Sequence, residues 1–161
     1  MTEENKAAAN AETQGPTMSL QKIYNKDISF ETPNAPHIFN EKGQPEIKLN
    51  MNQKVNKLDD NTFEVALTAT VTCTVNEKTA YLAEVCTAGV FNMHNFPEQA
   101  LHQTLGVYCP NTLFPYVRQQ VSDLVMTGGF QPLMLQPVNF EQMYAQQMQQ
   151  AQEQAATSTK Q

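Results

Sequence analysis

The chain has 161 residues, 40% of them hydrophobic, and a formal charge of −6 with an isoelectric point near 5.0. That length suits one domain with a core of its own, and ten Lys and Arg against sixteen Asp and Glu exclude the basic patch that supplies most nucleic-acid affinity. No run of about 18 apolar residues is present to span a bilayer, and the acidic, polar opening MTEENKAAANAETQGPT lacks the apolar stretch of a secretory signal, so a cytoplasmic protein is expected.

Residues 1–18 have no periodicity and no aromatic side chain, and are expected to be a disordered arm. LQKIYNKDISFE (20–31) alternates, with Leu20, Tyr24, Ile28 and Phe30 on one face and Asn25, Asp27, Ser29 and Glu31 on the other, which predicts a strand. TPNAPHIFNEKGQP carries three prolines and predicts a loop. EIKLNMN (46–52) puts Ile47, Leu49 and Met51 on one side of a second strand, and KLDDN supplies a turn. FEVALTATVTCTV (63–75) alternates throughout: Phe63, Val65, Leu67, Ala69, Val71, Cys73 and Val75 against Glu64, Ala66 and a run of Thr. NEK (76–78) then returns the chain into TAYLAEVCTAGVF (79–91), so the third and fourth strands are expected to form an antiparallel hairpin.

Three helices are expected after the strands. Asn95 with Glu98 reads as a capping box ahead of Leu101, Leu105 and Tyr108, with Gly106 near the helix end. A second helix starts around PNTLFPY, where Pro115 is tolerated in a first turn, buries Phe114, Val117, Val121, Leu124 and Val125, and is closed by Gly128–Gly129. Asn139 is the expected N-cap of a third, with Phe140, Met143, Tyr144 and Met148 on one side. The folded unit is therefore expected over 19–148, followed by a flexible Gln-rich tail, 149–161, helical at most in part. Strands followed by helices indicate an α+β fold, a four-stranded antiparallel sheet with helices on one face. The other face is left wet. Parity carries Asp27, Glu31, Glu46, Glu64 and Glu84 onto that outer face, together with Leu82.

The chemistry of catalysis is not visible. Cys73, Cys86 and Cys109 are an odd, scattered set that suits a reducing compartment. His37, His94 and His102 lack the spacing of a zinc site. Cys109 and His102 lie seven residues apart, but YCP is expected to end the helix between them, which makes Cys109 a core thiol. The six glycines form no phosphate loop, and Asp59–Asp60 falls in a turn. A Met and aromatic set, Met51, Met126, Met134, Met143 and Met148 with Phe91, Phe130, Phe140 and Tyr144, is either ordinary core or an adaptable binding surface.

IYNKDISFETPNAPHIF (23–39), YCPNTLFPYVR (108–118) and PLMLQPVNFEQMY (132–144) together resemble the bacterial SecB family of export chaperones, in order over about residues 20–147. The resemblance implies an ATP-independent holdase without cofactor or metal. Such a protein keeps secretory precursors unfolded in the cytosol and hands them to the SecA motor. It also implies a homotetramer, a dimer of dimers, and neither nucleic-acid binding nor membrane insertion. By resemblance the SecA-docking positions are Asp27, Glu31, Leu82 and Glu84, and the client groove takes Leu49, Met51, Leu133, Leu135, Phe140, Met143 and Tyr144. Departures from the family pattern are Thr127 and Gly129 around Gly128, Gln119 after Arg118, and a Gln-rich rather than acidic tail. Two alternatives accompany this reading: a binding protein for a small apolar ligand, and a SecB-like chaperone serving a non-export client.

Overall fold

The computed structural model describes residues 14–158. Residues 1–13, most of the expected arm, and 159–161, the end of the expected tail, lie outside the described residues. Four strands come first: β1 (Thr17–Glu31), β2 (Glu46–Lys57), β3 (Thr62–Val75) and β4 (Lys78–His94). They form one antiparallel sheet in the order β1-β4-β3-β2, so β1 and β2 are its edges. β1 begins at Thr17, three residues before the expected strand and inside the segment expected to be disordered. The expected hairpin is present: Asn76 and Glu77, with φ of 49° and 63°, make the two-residue turn between β3 and β4. Positive φ at both positions matches the right-handed twist of the flanking strands.

The helix side of the sheet is built by the alternation seen in the sequence. Val65, Leu67, Ala69, Val71 and Cys73 are buried there, opposite Gly89, Thr87, Val85, Ala83 and Tyr81 of β4. α1 (Glu98–Gln103), a π-helical turn (Thr104–Tyr108) and α2 (Cys109–Thr127) come next, with α2 lying across β4 and β3. Leu113, Val117, Val121 and Val125 of α2 close the core against the sheet.

Three helix expectations are corrected. Asn95 does not cap α1; its φ of 62° turns the chain, Pro97 holds the cap position, and no side chain bonds the exposed N–H groups. YCP does not end a helix: Pro110 sits in the first turn of α2, and the Gly106 carbonyl, which a helical N–H at 110 would meet, accepts from Gln53 Nε2 instead. The π turn carries the rod through without a break. Pro115, expected in a first turn, lies inside α2.

α2 closes at the two glycines. Gly129, at φ 91°, donates to Met126 O at 3.1 Å and Phe130 N–H reaches Val125 O at 3.2 Å, the paired bonds of a Schellman end. Asn139 is the N-cap of α3 (Phe140–Ser158) as expected, its Oδ1 accepting from Gln142 N–H at 3.0 Å. The helix runs on to Ser158, so the stretch expected to be a tail is helical over residues 149–158. Gln, Ala and Glu are adequate helix formers.

β1 departs from simple alternation at two points. Bulges interrupt its pairing with β4 between Leu20 and Lys22 and between Asn25 and Asp27. Each bulge adds one residue and so reverses the faces of the residues beyond it. Leu20 faces the helices. After the first bulge Ile23 and Asn25 do too, opposite Gly89 and Thr87, while Tyr24 points outward opposite Ala88. Tyr24 and Asn25 are therefore on the reverse of their expected faces. The second bulge restores the original parity: Asp27 and Glu31 face outward, Ile28 and Phe30 inward.

Candidate functional site

Two regions collect the residues singled out in the sequence. The first is the outer face of the sheet. Register places Glu31 opposite Leu82, Ser29 opposite Glu84, and Asp27 opposite Cys86. Asp27, Glu31, Leu82 and Glu84 thus form one contiguous patch across two neighbouring strands, with Asp27 and Glu31 exposed and Leu82 and Glu84 half-exposed. Glu84 also accepts from Thr70 Oγ1 at 3.1 Å, a bond from the Thr row of β3 that directs its carboxylate over the sheet. None of these four side chains is covered by the chain's own helices.

The remaining outer carboxylates behave differently. Glu46 is exposed on edge strand β2. Glu64 is 8% exposed, covered from the strands on both sides of it. Tyr24 Oη donates to Glu64 Oε2, Lys26 Nζ lies 2.7 Å from Glu64 Oε1, and Asn56 Nδ2 donates to the same oxygen at 2.9 Å. These contacts span β1, β3 and β2, and the small side chains of Ala66 and Ala88 lie buried beneath them. The Lys26 ammonium, then the Tyr24 and Asn56 donors, hold the Glu64 carboxyl down at about 2. The bond to Glu64 pushes the Tyr24 phenol up to about 12, with burial adding to it. Strand parity assigned Glu64 to the correct face but did not reveal this cluster. The available signal was Ile23, an apolar residue on what simple alternation makes the polar side.

The second region borders the helix side of the sheet. Leu49 is exposed and Met51 half-buried on β2; Leu133, Met143 and Tyr144 are half-buried at the margin of the core. Leu135 and Phe140 lie inside the core instead, at 6% and 1% exposure, with the Phe140 ring edge-on to Phe114 at 6.0 Å. Tyr144 lies against Gly106 of the π turn, where an added Cβ would stand 2.6 Å from its ring. Gln53 Nε2 donates to Gly106 O at 3.2 Å and draws β2 to the same point. A cleft of about 600 Å³ opens there, walled by Val55, Phe63, Leu101, Leu105 and Tyr144. Val55 and Leu101 were not among the sequence candidates. Of the Met and aromatic set, Phe91 is core, while Met126, Met134 and Met148 are exposed.

Neither region carries the groups of a reaction centre. Cys109 is fully buried, and burial pushes its thiol up to about 12. His102, although on the same helical rod, is exposed. A thiol held so far from ionisation is no nucleophile at neutral pH. Among the described residues no cluster of His, Cys, Asp or Glu could hold a metal ion, and no helix is long and apolar enough to cross a membrane.

The family model described as "Preprotein translocase subunit SecB" matches residues 11–151. The chain is 54% identical over 151 residues to the protein-export protein SecB of Xanthomonas oryzae, covering 94% of this chain and 88% of the relative. It is 52% identical over 141 residues to that of Methylococcus capsulatus, covering 88% of this chain and 91% of the relative. Among solved structures it is similar in fold to a Mycobacterium tuberculosis SecB-like chaperone in complex with an antitoxin peptide. The TM-score is 0.63 at 18% identity, covering 75% of this chain and 90% of that one.

Proposed function

Since the chain belongs to the SecB family of preprotein-export chaperones, we propose that it holds unfolded secretory precursors in the cytoplasm without ATP and delivers them to the SecA motor, working as a homotetrameric dimer of dimers. It is a chaperone for preprotein export and not an enzyme. Neither a binding protein for a small apolar ligand nor a SecB-like chaperone serving a non-export client is favoured by that membership. The observation that carries the finer reading is the patch of Asp27, Glu31, Leu82 and Glu84, open on the face of the sheet that the chain's own helices leave uncovered.

The physical division of labour rests on the two regions. An unfolded client exposes apolar side chains and unpaired backbone, and an apolar groove with a strand edge beside it can meet both. Leu49, Met51, Leu133, Met143 and Tyr144 are the accessible part of the proposed groove, with Leu135 and Phe140 as the core beneath it. At ~25 cal/mol per Å², a contact of ~1,000 Å² contributes on the order of 25 kcal/mol gross, much of it offset by ordering the client and immobilising it. Repeated weak contacts on several subunits then give avidity without sequence specificity. Assembly is supported by apolar surface that one chain leaves open: Leu20 and Ile28 on β1, Ile47 and Val55 on β2, Tyr108 at the end of the π turn, and Tyr116 and Met126 on α2.

A charge reversal separates the two surfaces. Asp27→Lys or Glu84→Lys is expected to weaken SecA binding by about tenfold, with capture of a reduced, unfolded precursor unchanged. Light scattering with and without the precursor monitors assembly in the same samples. Equal loss of both activities in an intact four-chain assembly counts against separate surfaces.

A further inference from the structure

Given the first bulge of β1, Asp27 and Glu31 reach the outer face only because a second one follows it. Through the middle of the strand, Ile23 and Asn25 face the helices, and Asn25 accepts there from buried Thr87 Oγ1 at 3.0 Å. Were that alternation to continue, Asp27, Ser29 and Glu31 would turn inward like Asn25, and Ile28 and Phe30 would turn to water. The extra residue that prevents this is Lys26, unpaired in the β1–β4 register between Asn25 and Asp27. A bulge can in principle slide along an edge strand, so something must fix its position. The side chain of Lys26 is tied across β4 to Glu64 on β3, and Tyr24 and Asn56 close on the same carboxylate.

We infer that Glu64 is a positioning residue for the docking face: by anchoring Lys26 and Tyr24 it fixes the bulge that turns Asp27 and Glu31 toward the partner. This rests on the proposed docking role of Asp27 and Glu31. Moving the bulge two residues toward the end of β1 would place Asp27 on the helix side, where a carboxylate meets the core instead of a basic segment. Glu64 takes no part in docking itself, since its oxygens are occupied by three donors and its side chain is covered. Its charge is neutralised within the sheet.

The test uses the full chain in its native assembly, with purified SecA and a reduced, unfolded precursor as probes. Glu64→Gln keeps the shape but loses the charge pair with Lys26. The double variant Lys26→Glu/Glu64→Lys restores a pair of opposite sense. Asp27→Lys reports on the docking face itself. The expected result is that Glu64→Gln binds SecA about tenfold more weakly, captures precursor normally, and exchanges the amides of Lys26 and Asp27 faster. The swapped pair should recover most of the affinity. If Asp27→Lys weakens docking while folded Glu64→Gln docks like wild type, the positioning role is overturned and the docking face survives. If Asp27→Lys docks like wild type, the docking face fails and the inference falls with it. Parallel loss of docking and precursor capture in Glu64→Gln, unrepaired by the swapped pair, makes Glu64 a stability residue only and also overturns the inference.

Discussion

Glu64 accepts from a phenol, an ammonium and an amide on the face of the sheet that is otherwise wet. Its carboxyl is held at about 2, below the 4.5 of an unperturbed Glu, by Lys26 first and then by Tyr24 and Asn56. A lowered folded value means that the ionised form contributes stability above about 4.5, and that this contribution is lost as the pH falls toward about 2. The Tyr24 phenol, raised from 10.0 to about 12, has the opposite sense: its contribution is complete below 10.0 and is lost as the pH climbs toward 12. The Tyr24–Glu64 hydrogen bond enters both shifts, so the two contributions do not simply add. Lys26 is about half exposed, so its pair is partly screened by water. Glu64→Gln is therefore expected to cost about 1–2 kcal/mol at neutral pH, and urea titrations of both proteins from pH 7 down to pH 2 should converge. A gap that stays constant across that range would mean that the charge of Glu64 is not what stabilises the sheet.

Elements divide by how locally their cause is written. β3 and β4 were legible because both of their neighbours are strands, so every side chain must choose a face and the alternation is forced. β1 was legible only at its ends. Its two bulges cancel, so parity placed Asp27 and Glu31 correctly and Tyr24 and Asn25 wrongly, and the group that the outward Tyr24 meets lies in β3, forty residues away at Glu64. The break expected at YCP failed for a related reason: the carbonyl that Pro110 leaves without a helical donor is met by Gln53 of β2, a partner no local pattern shows. Of the proposed site residues, the four on the outer face have that face given by strand parity, whereas the proposed groove depends on how α3 and the stretch before it settle on the sheet, which no local pattern encodes.

The closing turn of α2 is local, and there a single residue decides. Gly129 sits at φ 91° with two bonds of the helix end resting on that geometry. A Cβ on it would be strained by the backbone and would stand 3.2 Å from the ring of Phe39. Gly129→Ala is expected to lose about 1–2 kcal/mol, measured by chemical denaturation. Gly129→Asn should lose less, since Asn tolerates left-handed backbone. An Ala variant as stable as wild type would show that the helix end does not depend on this conformation.

For the whole molecule the consequence of two unlike surfaces is a difference in their response to salt. The chain carries a net charge of −6, and the docking carboxylates stand on an open sheet face, within reach of counter-ions. Attraction between such groups and a basic segment decays over ~10 Å at 0.1 M ionic strength and ~3 Å at 1 M, and its loss falls mainly on the association rate. The proposed groove is apolar and its driving force is the removal of surface from water, which added salt leaves intact or strengthens. Between 0.1 M and 1 M sodium chloride, SecA binding is expected to weaken by about tenfold or more. Precursor capture should change by less than about twofold over the same range. Stopped-flow binding with each partner measures both. If capture weakened in step with docking, the client too would be held by charge, and the apolar margin of β2 and α3 would have to be a subunit contact instead. With independent responses, a client already seated raises no electrostatic obstacle to the motor, and transfer needs only that both surfaces be occupied at once.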